Sequence, residues 1–144
     1  MAARPRLYLA DYAAGDEARF TPCARSRRDM ALNGWRWADG PPEGRVWRLC
    51  RPGGEVVGLT GLSPTALAFQ WHAWAILAEL TPREVAFALR LARRELDLLE
   101  GRVKPRLITA HAAADFPAAA RTLARLGFEG MARDSGYNLM GRVI

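Results

Sequence analysis

The chain has few cysteines and few histidines, with two of each among its 144 residues. Cys23 and Cys50 lie far apart, so they form neither the dense disulfide framework of a small secreted protein nor a zinc-ligand spacing. No Ser-His-Asp order is visible either. We therefore expect two free thiols in a reducing compartment and no metal site.

The sequence also lacks a long apolar run. The central uncharged stretch, residues 58–78, is interrupted by Ser63, Gln70 and His72. A membrane-spanning helix needs about 20 predominantly apolar residues, so this stretch does not qualify. The first residues contain no apolar segment of signal-peptide length, so we expect no secretion through a signal peptide.

Half of the residues are hydrophobic and a quarter are charged, which is typical of a globular protein, and the length favours one domain over residues 1–144. The formal net charge of +6 favours a polyanionic partner. However, Lys104 is the only lysine among 21 basic residues, and this composition is also what a GC-rich genome produces. A nucleic-acid-binding domain is therefore one hypothesis among others.

Apolar periodicity and turn residues predict an alternation of strands and helices. The predicted elements are a strand over 6–12, a helical turn over 29–34, strands over 45–51, 56–62 and 69–78, a long helix from 81 to about 99, a strand over 105–111, a helix over 115–126, and a terminal hairpin with strands over 129–134 and 137–144. The three central strands are joined by short turns, which predicts an antiparallel meander.

The long helix has the clearest start. Thr81-Pro82-Arg83-Glu84 is a capping box with proline at the first helical position. Apolar residues then recur at helical spacing up to Gly101, which predicts one face packed on a sheet. We expect Leu89, Leu96 and, on the next helix, Leu123 to face that sheet.

This order of elements resembles the GNAT acyltransferase fold. The most specific piece is Leu126-Gly127-Phe128-Glu129, which is similar to the turn between the family's final helix and its last two strands. The resemblance implies an α/β (α+β) protein with a mixed, mostly antiparallel central sheet of about six or seven strands flanked by helices. Among such chains, this one resembles small proteins of tailed phages, some of them virion components. That implies the bacterial cytoplasm or the virion as its location.

The resemblance also implies where a cofactor would bind. The family holds the pyrophosphate of acetyl-CoA on backbone N–H groups of a glycine-containing loop at the start of the long helix. The equivalent positions here are Leu80, Arg83, Glu84 and Val85, in a turn that has no glycine and contains Pro82. Of these residues only Arg83 favours a phosphate, so no cofactor is expected here, and acetyl-CoA is expected only if the chain is an enzyme.

The position of the family's tyrosine acid is occupied by Leu123. Glu79, at the end of the central strand, and His111, just past the next strand, are the remaining candidates for a carboxylate–histidine pair. Tyr137 is a candidate acid from the last strand. The alternative is that Glu79 is a solvated strand end and His111 a loop residue, while His72 packs on the face opposite Trp71.

Five tryptophans are many for a chain of this size. Trp35, Arg36 and Trp37 lie beside a Gly/Pro-rich loop and form a candidate protein interface, because tryptophan and arginine are favoured at such surfaces. The alternative is that most tryptophans line one face of the sheet beneath a helix.

Three functional hypotheses follow. The favoured one is a non-enzymatic GNAT-like protein that acts through contacts with other subunits, such as those of a phage particle. The alternative is an N-acyltransferase that uses acetyl-CoA through a divergent loop. The third is the nucleic-acid-binding domain suggested by the charge.

Overall fold

The computed structural model describes residues 6–101, 104–134 and 136–144. The regular elements are β1 (Tyr8–Asp11), α1 (Ala24–Leu32), β2 (Arg45–Cys50), β3 (Val56–Pro64), β4 (Gln70–Leu77), α2 (Pro82–Asp97), β5 (Leu107–Ala113), α3 (Pro117–Arg125), β6 (Glu129–Asp134) and β7 (Tyr137–Val143). Short 3-10 turns cover Asp16–Ala18 and Trp37–Asp39.

The seven strands form one sheet in the order β1-β2-β3-β4-β5-β7-β6. β1 pairs with β2, β5 with β7 and β6 with β7 in antiparallel fashion, whereas β4 and β5 are parallel. A mixed, mostly antiparallel sheet of seven strands with three helices confirms the predicted fold class.

The chain divides into two compact units, of which the first comprises residues 1–61 and 75–91. Its core is built from Leu7, next to β1, Leu49 on β2 and Val57 on β3. Part of the apolar stripe of α2 packs against this core, as the helical spacing predicted. Helix α1 is anchored to β4, because the N–H of Leu77 donates to Oγ of Ser26 at 3.0 Å.

The second unit comprises residues 62–74 and 92–144. Small buried alanines on β5, Ala110 and Ala112, leave room for α3 to contact that strand. Leu126 and Phe128 are buried on either side of Gly127. Gly127 has φ +89°, a conformation that strongly favours glycine, and a Cβ there would also lie close to the side chain of Arg142, 3.3 Å from its Cδ.

Three local predictions are wrong in detail. Helix α1 begins at Ala24 rather than near 29, because Ser26 is bonded to β4, a long-range contact. β5 runs on to Ala113, since it pairs with β7 as far as Tyr137, so His111 lies inside the strand. Helix α3 begins at Pro117 rather than at 115, and its N-cap residue, Phe116, makes no side-chain capping bond.

The predicted core positions differ in burial. Leu96 is buried, while Leu89 and Leu123 are half-buried. The terminal hairpin has the predicted bounds to within one residue, and its turn includes Gly136 at φ +81°. The other predicted turn residue, Ser135, lies outside the described residues.

Candidate functional site

The start of α2 is a complete capping box. The N–H of Thr81 donates to Oε1 of Glu84 at 3.0 Å, and the N–H of Glu84 donates to Oγ1 of Thr81 at 3.2 Å. The N–H of Val85 donates to the carbonyl of Thr81 at 2.9 Å. The side chains predicted to cap this helix therefore use the donors that a helix start would otherwise offer to a ligand.

Arg51, at the end of β2, binds the carboxylate of this box. Its Nε donates to Oε2 of Glu84 at 2.8 Å, and its Nη2 donates to Oε1 of Glu84 and to the carbonyl of Glu79, both at 3.3 Å. The guanidinium of Arg51 is the main cause that lowers the pKa of Glu84 from 4.5 to about 2. The same hydrogen bond raises the pKa of Arg51. Glu84 is thus a buried, ionised carboxylate at the helix start.

The four predicted cofactor-binding residues do not form a diphosphate site. Leu80 packs against the core of the first unit, and Glu84 and Val85 have their N–H groups bonded. Arg83 is exposed and is the one member of the set suited to a phosphate. A second negative group brought to this turn would meet the carboxylate of Glu84, so the residues present do not fit the pyrophosphate of acetyl-CoA.

In the second unit, polar side chains gather where β4 and β5 meet. The parallel pairing joins Gln70, Trp71 and His72 to Leu107, Ile108 and Thr109.

His72, Thr109, His111 and Tyr137 form what we call the histidine cluster. Nδ1 of His72 and Oγ1 of Thr109 share a hydrogen bond of 2.9 Å. The ring centroids of His72 and His111 are 4.6 Å apart, and those of His111 and Tyr137 are 5.2 Å apart. The cluster arises because β5 and β7 pair His111 with Leu139 and Ala113 with Tyr137, which places His111 and Tyr137 diagonally on one face.

Burial lowers the pKa of His72 from 6.5 to about 4, and the neighbouring His111 adds to the effect. His72 is therefore neutral at physiological pH. Thr109 is buried, whereas His111 is exposed. The arrangement sets an accessible imidazole against a neutral imidazole and a phenol, which are groups able to accept and donate a proton.

The predicted catalytic residues are distributed over both units. His111 and Tyr137 are brought together in the second unit, at ring contact. Glu79 is exposed and belongs to the first unit, where its carbonyl accepts from Arg51. The pairing of Glu79 with His111 stays a prediction. The place of His72 in the cluster could not be predicted from the sequence, because its position opposite Thr109 depends on the register of β4 against β5.

The candidate interface residues have local packing roles. Nε1 of Trp35 donates to the carbonyl of Gly40 at 2.9 Å, and Nε1 of Trp37 donates to the carbonyl of Glu17 at 2.7 Å. The two indoles lie 5.8 Å apart and are half-buried, while Arg36 is exposed. These bonds hold the loop before β2. Their assignment to an interface stays a prediction.

A metal site and a membrane-spanning helix are two further features to consider. Within residues 6–101, 104–134 and 136–144, no three or more His, Cys, Asp or Glu side chains are placed to hold a metal ion. In the same part of the chain, none of the helices combines the length and apolarity needed to cross a membrane.

Neither protein-family models nor curated proteins match this sequence. Solved structures do match the fold. A GCN5-related N-acetyltransferase from Kribbella flavida has a TM-score of 0.69 and 17% identity, over 96% of this chain and 98% of that one. An acetyltransferase of the GNAT family from Bacillus anthracis has a TM-score of 0.68 and 11% identity, over 96% and 94%. The chain has the GNAT fold.

A third similar structure is a mutant of the spermidine N-acetyltransferase from Vibrio cholerae, with a TM-score of 0.64 and 17% identity over 96% of this chain and 94% of that one. These structures contradict the favoured prediction of a non-enzymatic subunit, because all three are acetyltransferases and each matches almost the whole chain. They favour the acyltransferase alternative instead. No comparison shows a connection to phages or virions, and nucleic-acid binding stays a prediction.

Proposed function

We propose that this GNAT-fold chain is an N-acetyltransferase that moves an acetyl group from a thioester such as acetyl-CoA to an amine. The observation that carries the proposal is the likeness of the fold to N-acetyltransferases over 96% of the chain. The expectation that no cofactor is used came from the turn before α2 alone, and this proposal replaces it.

The histidine cluster supports the proposal chemically. In acetyl transfer to an amine, a C–N bond forms, the C–S bond of the thioester breaks, and one proton moves from nitrogen to the departing sulfur. His111 is exposed on β5 and is the group assigned to accept the proton from the amine. Tyr137, with its ring 5.2 Å from that of His111, is the group assigned to supply a proton to the sulfur.

The test is an assay of the purified protein with acetyl-CoA and a panel of amines: a polyamine, free amino acids and peptides with free N-termini. Thiol release and the mass of the acetylated product are measured together. Because a positioned acid or base contributes about 10²–10⁴-fold to a rate, His111→Asn and Tyr137→Phe are each expected to lower kcat within that range.

The control variant is Tyr8→Phe, which removes a phenol that is 42% exposed on β1, outside the cluster. It is expected to keep the wild-type rate. If both cluster variants acetylate the amine as fast as the wild-type protein does, the cluster has no part in the reaction. If no amine in the panel is acetylated, the proposed function is wrong.

We also propose that the protein works in the cytoplasm. Cys23 and Cys50 are both free thiols in the structure, as the sequence predicted, and unpaired cysteines are typical of a reducing compartment. Fractionation of cells that express the tagged full chain tests the location.

A further inference from the structure

The start of α2 carries its own anion. The side chain of Glu84 is ionised and only 8% exposed, and it receives the N–H of Thr81 and two N–H groups of Arg51. A helix start binds external phosphates when its N–H groups are unpaired and point at the ligand. Here the carboxylate of Glu84 accepts the N–H of Thr81 and places a negative charge at the helix start.

The remaining donors of this turn are few. Pro82 has no N–H, and the N–H groups of Glu84 and Val85 are bonded to Thr81. Three of the four residues in the first helical turn thus offer no donor to a ligand. A diphosphate carries more negative charge than a carboxylate and is bound by several N–H groups together, so this turn provides neither the donors nor the potential for it.

The positive charge next to Glu84 is the guanidinium of Arg51, and its donors are also used in hydrogen bonds. Arg51 donates to Glu84, to the carbonyl of Glu79 and, through Nη1 at 3.1 Å, to Glu55. One guanidinium therefore serves two carboxylates, so its donors are largely taken before any ligand arrives. Arg83 is the nearest cation in sequence that has no bond to this group.

Building on the proposed acetyltransferase activity, we propose that the start of α2 does not bind the diphosphate of the acyl donor. A donor without the nucleotide, such as S-acetylpantetheine, is then used about as well as acetyl-CoA. Glu84 is the residue that excludes the diphosphate.

The experiment compares the two donors with the same amine and compares the binding of CoA and pantetheine by calorimetry. In the wild-type protein, kcat/KM for acetyl-CoA and for S-acetylpantetheine is expected to agree within about tenfold, which is 1.4 kcal/mol in transition-state binding. The two dissociation constants are expected to agree within the same range.

Glu84→Gln keeps hydrogen-bonding atoms in the capping box but removes the charge and frees Arg51. It is expected to tighten CoA about tenfold or more and to leave pantetheine unchanged, since the variant removes the repulsion of the carboxylate and leaves the guanidinium of Arg51 available to an anion. The matched control is Glu55→Gln, which removes the exposed partner of the same arginine outside the turn and is expected to leave the ratio of dissociation constants unchanged.

The outcomes separate this inference from the function on which it depends. A preference of 100-fold or more for CoA over pantetheine in the wild-type protein would overturn the inference alone, and so would unchanged CoA binding in a folded Glu84→Gln variant. If that variant does not fold, the wild-type ratio still decides. Binding of neither thiol, with no acetyl transfer, would overturn the proposed function and the inference together.

Discussion

Thr81 shows how a single hydroxyl decides the start of a helix. Its Oγ1 accepts the N–H of Glu84 at 3.2 Å, which is the bond that a Ser or Thr N-cap makes to the third helical residue. Without it, that N–H would have no side-chain partner. The free energy of unfolding therefore depends directly on this atom.

Thr81→Ala is expected to lower the free energy of unfolding by about 1 kcal/mol, measured by urea denaturation. The control is Thr21→Ala, an exposed position outside regular structure, with an expected change within about 0.5 kcal/mol. Equal stabilities of the two variants would contradict the capping role and would leave Thr81 available for a ligand.

Protonation of His72 makes the free energy of unfolding depend on pH between about 4 and 6.5. Its pKa is about 4 in the folded chain and 6.5 in the unfolded chain. Below pH 6.5 the unfolded chain takes up a proton that the folded chain does not, so stability falls as the pH drops toward 4. The pKa of Glu84, lowered from 4.5 to about 2, acts in the same direction but only below pH 4.5.

Between pH 6.5 and about 5, the wild-type protein is expected to lose stability on the order of 1–2 kcal/mol through His72. His72→Gln cannot take up this proton and is expected to show a correspondingly smaller loss. Denaturant titrations at several pH values in this window give the measurement. The same loss in both proteins would show that His72 is not held neutral by its surroundings.

At the scale of elements, α2 has a capped start and one apolar face that packs against the protein. Leu96, in its last turn, is only 7% exposed, whereas Leu98, just after the helix, is 57% exposed. Helical geometry separates these two positions by about 200°, so one faces the protein and the other faces water. The same helix also provides Asp97, which accepts from Nη2 of Arg142 at 2.6 Å.

Leu96→Ala is expected to cost about 2–5 kcal/mol, because it removes buried methyl groups and leaves a cavity. Leu98→Ala, the exposed comparison on the same segment, is expected to change stability by less than about 0.5 kcal/mol. Thermal unfolding followed by circular dichroism gives both values. A cost for Leu98→Ala as large as that for Leu96→Ala would mean that the face of α2 has been assigned wrongly.

At the scale of the whole molecule, the single-domain expectation can be tested by cooperativity. The division into two compact units falls inside β3, β4 and α2, so each of these elements contributes residues to both units. Loss of either unit would break strands and a helix that the other uses. A chain of this length with such shared elements is expected to unfold in one step.

The tryptophans provide the measurement, because Trp35, Trp37 and Trp47 lie in the first unit and Trp71 and Trp74 in the second. Unfolding curves from tryptophan fluorescence and from far-ultraviolet circular dichroism are expected to coincide in urea. A variant with the two second-unit tryptophans changed to phenylalanine reports on the first unit alone. Transitions that separate would divide the chain into two domains and would contradict the prediction for residues 1–144.

The order of elements, the capped start and apolar face of α2, and the turn at Gly127 could all be predicted from the sequence. These features depend on residues within a few positions of each other, and capping boxes, helical periodicity and positive φ are local properties. The resemblance to the GNAT fold rests on the same local features in the same order, which is why the fold class could be predicted without a structure.

The contacts between polar side chains could not be predicted from the sequence, because they join residues that are far apart in the chain. Arg51 binds Glu84 across 33 positions, His72 meets Thr109 across 37, and Arg142 reaches Asp97 across 45. Each contact depends on strand register or on the packing of a helix, and a shift of one residue would turn the side chain to the other face. That is why His111 and Tyr137 could be singled out from the sequence, while His72 as their neighbour and Glu84 as an internal anion held by Arg51 could not.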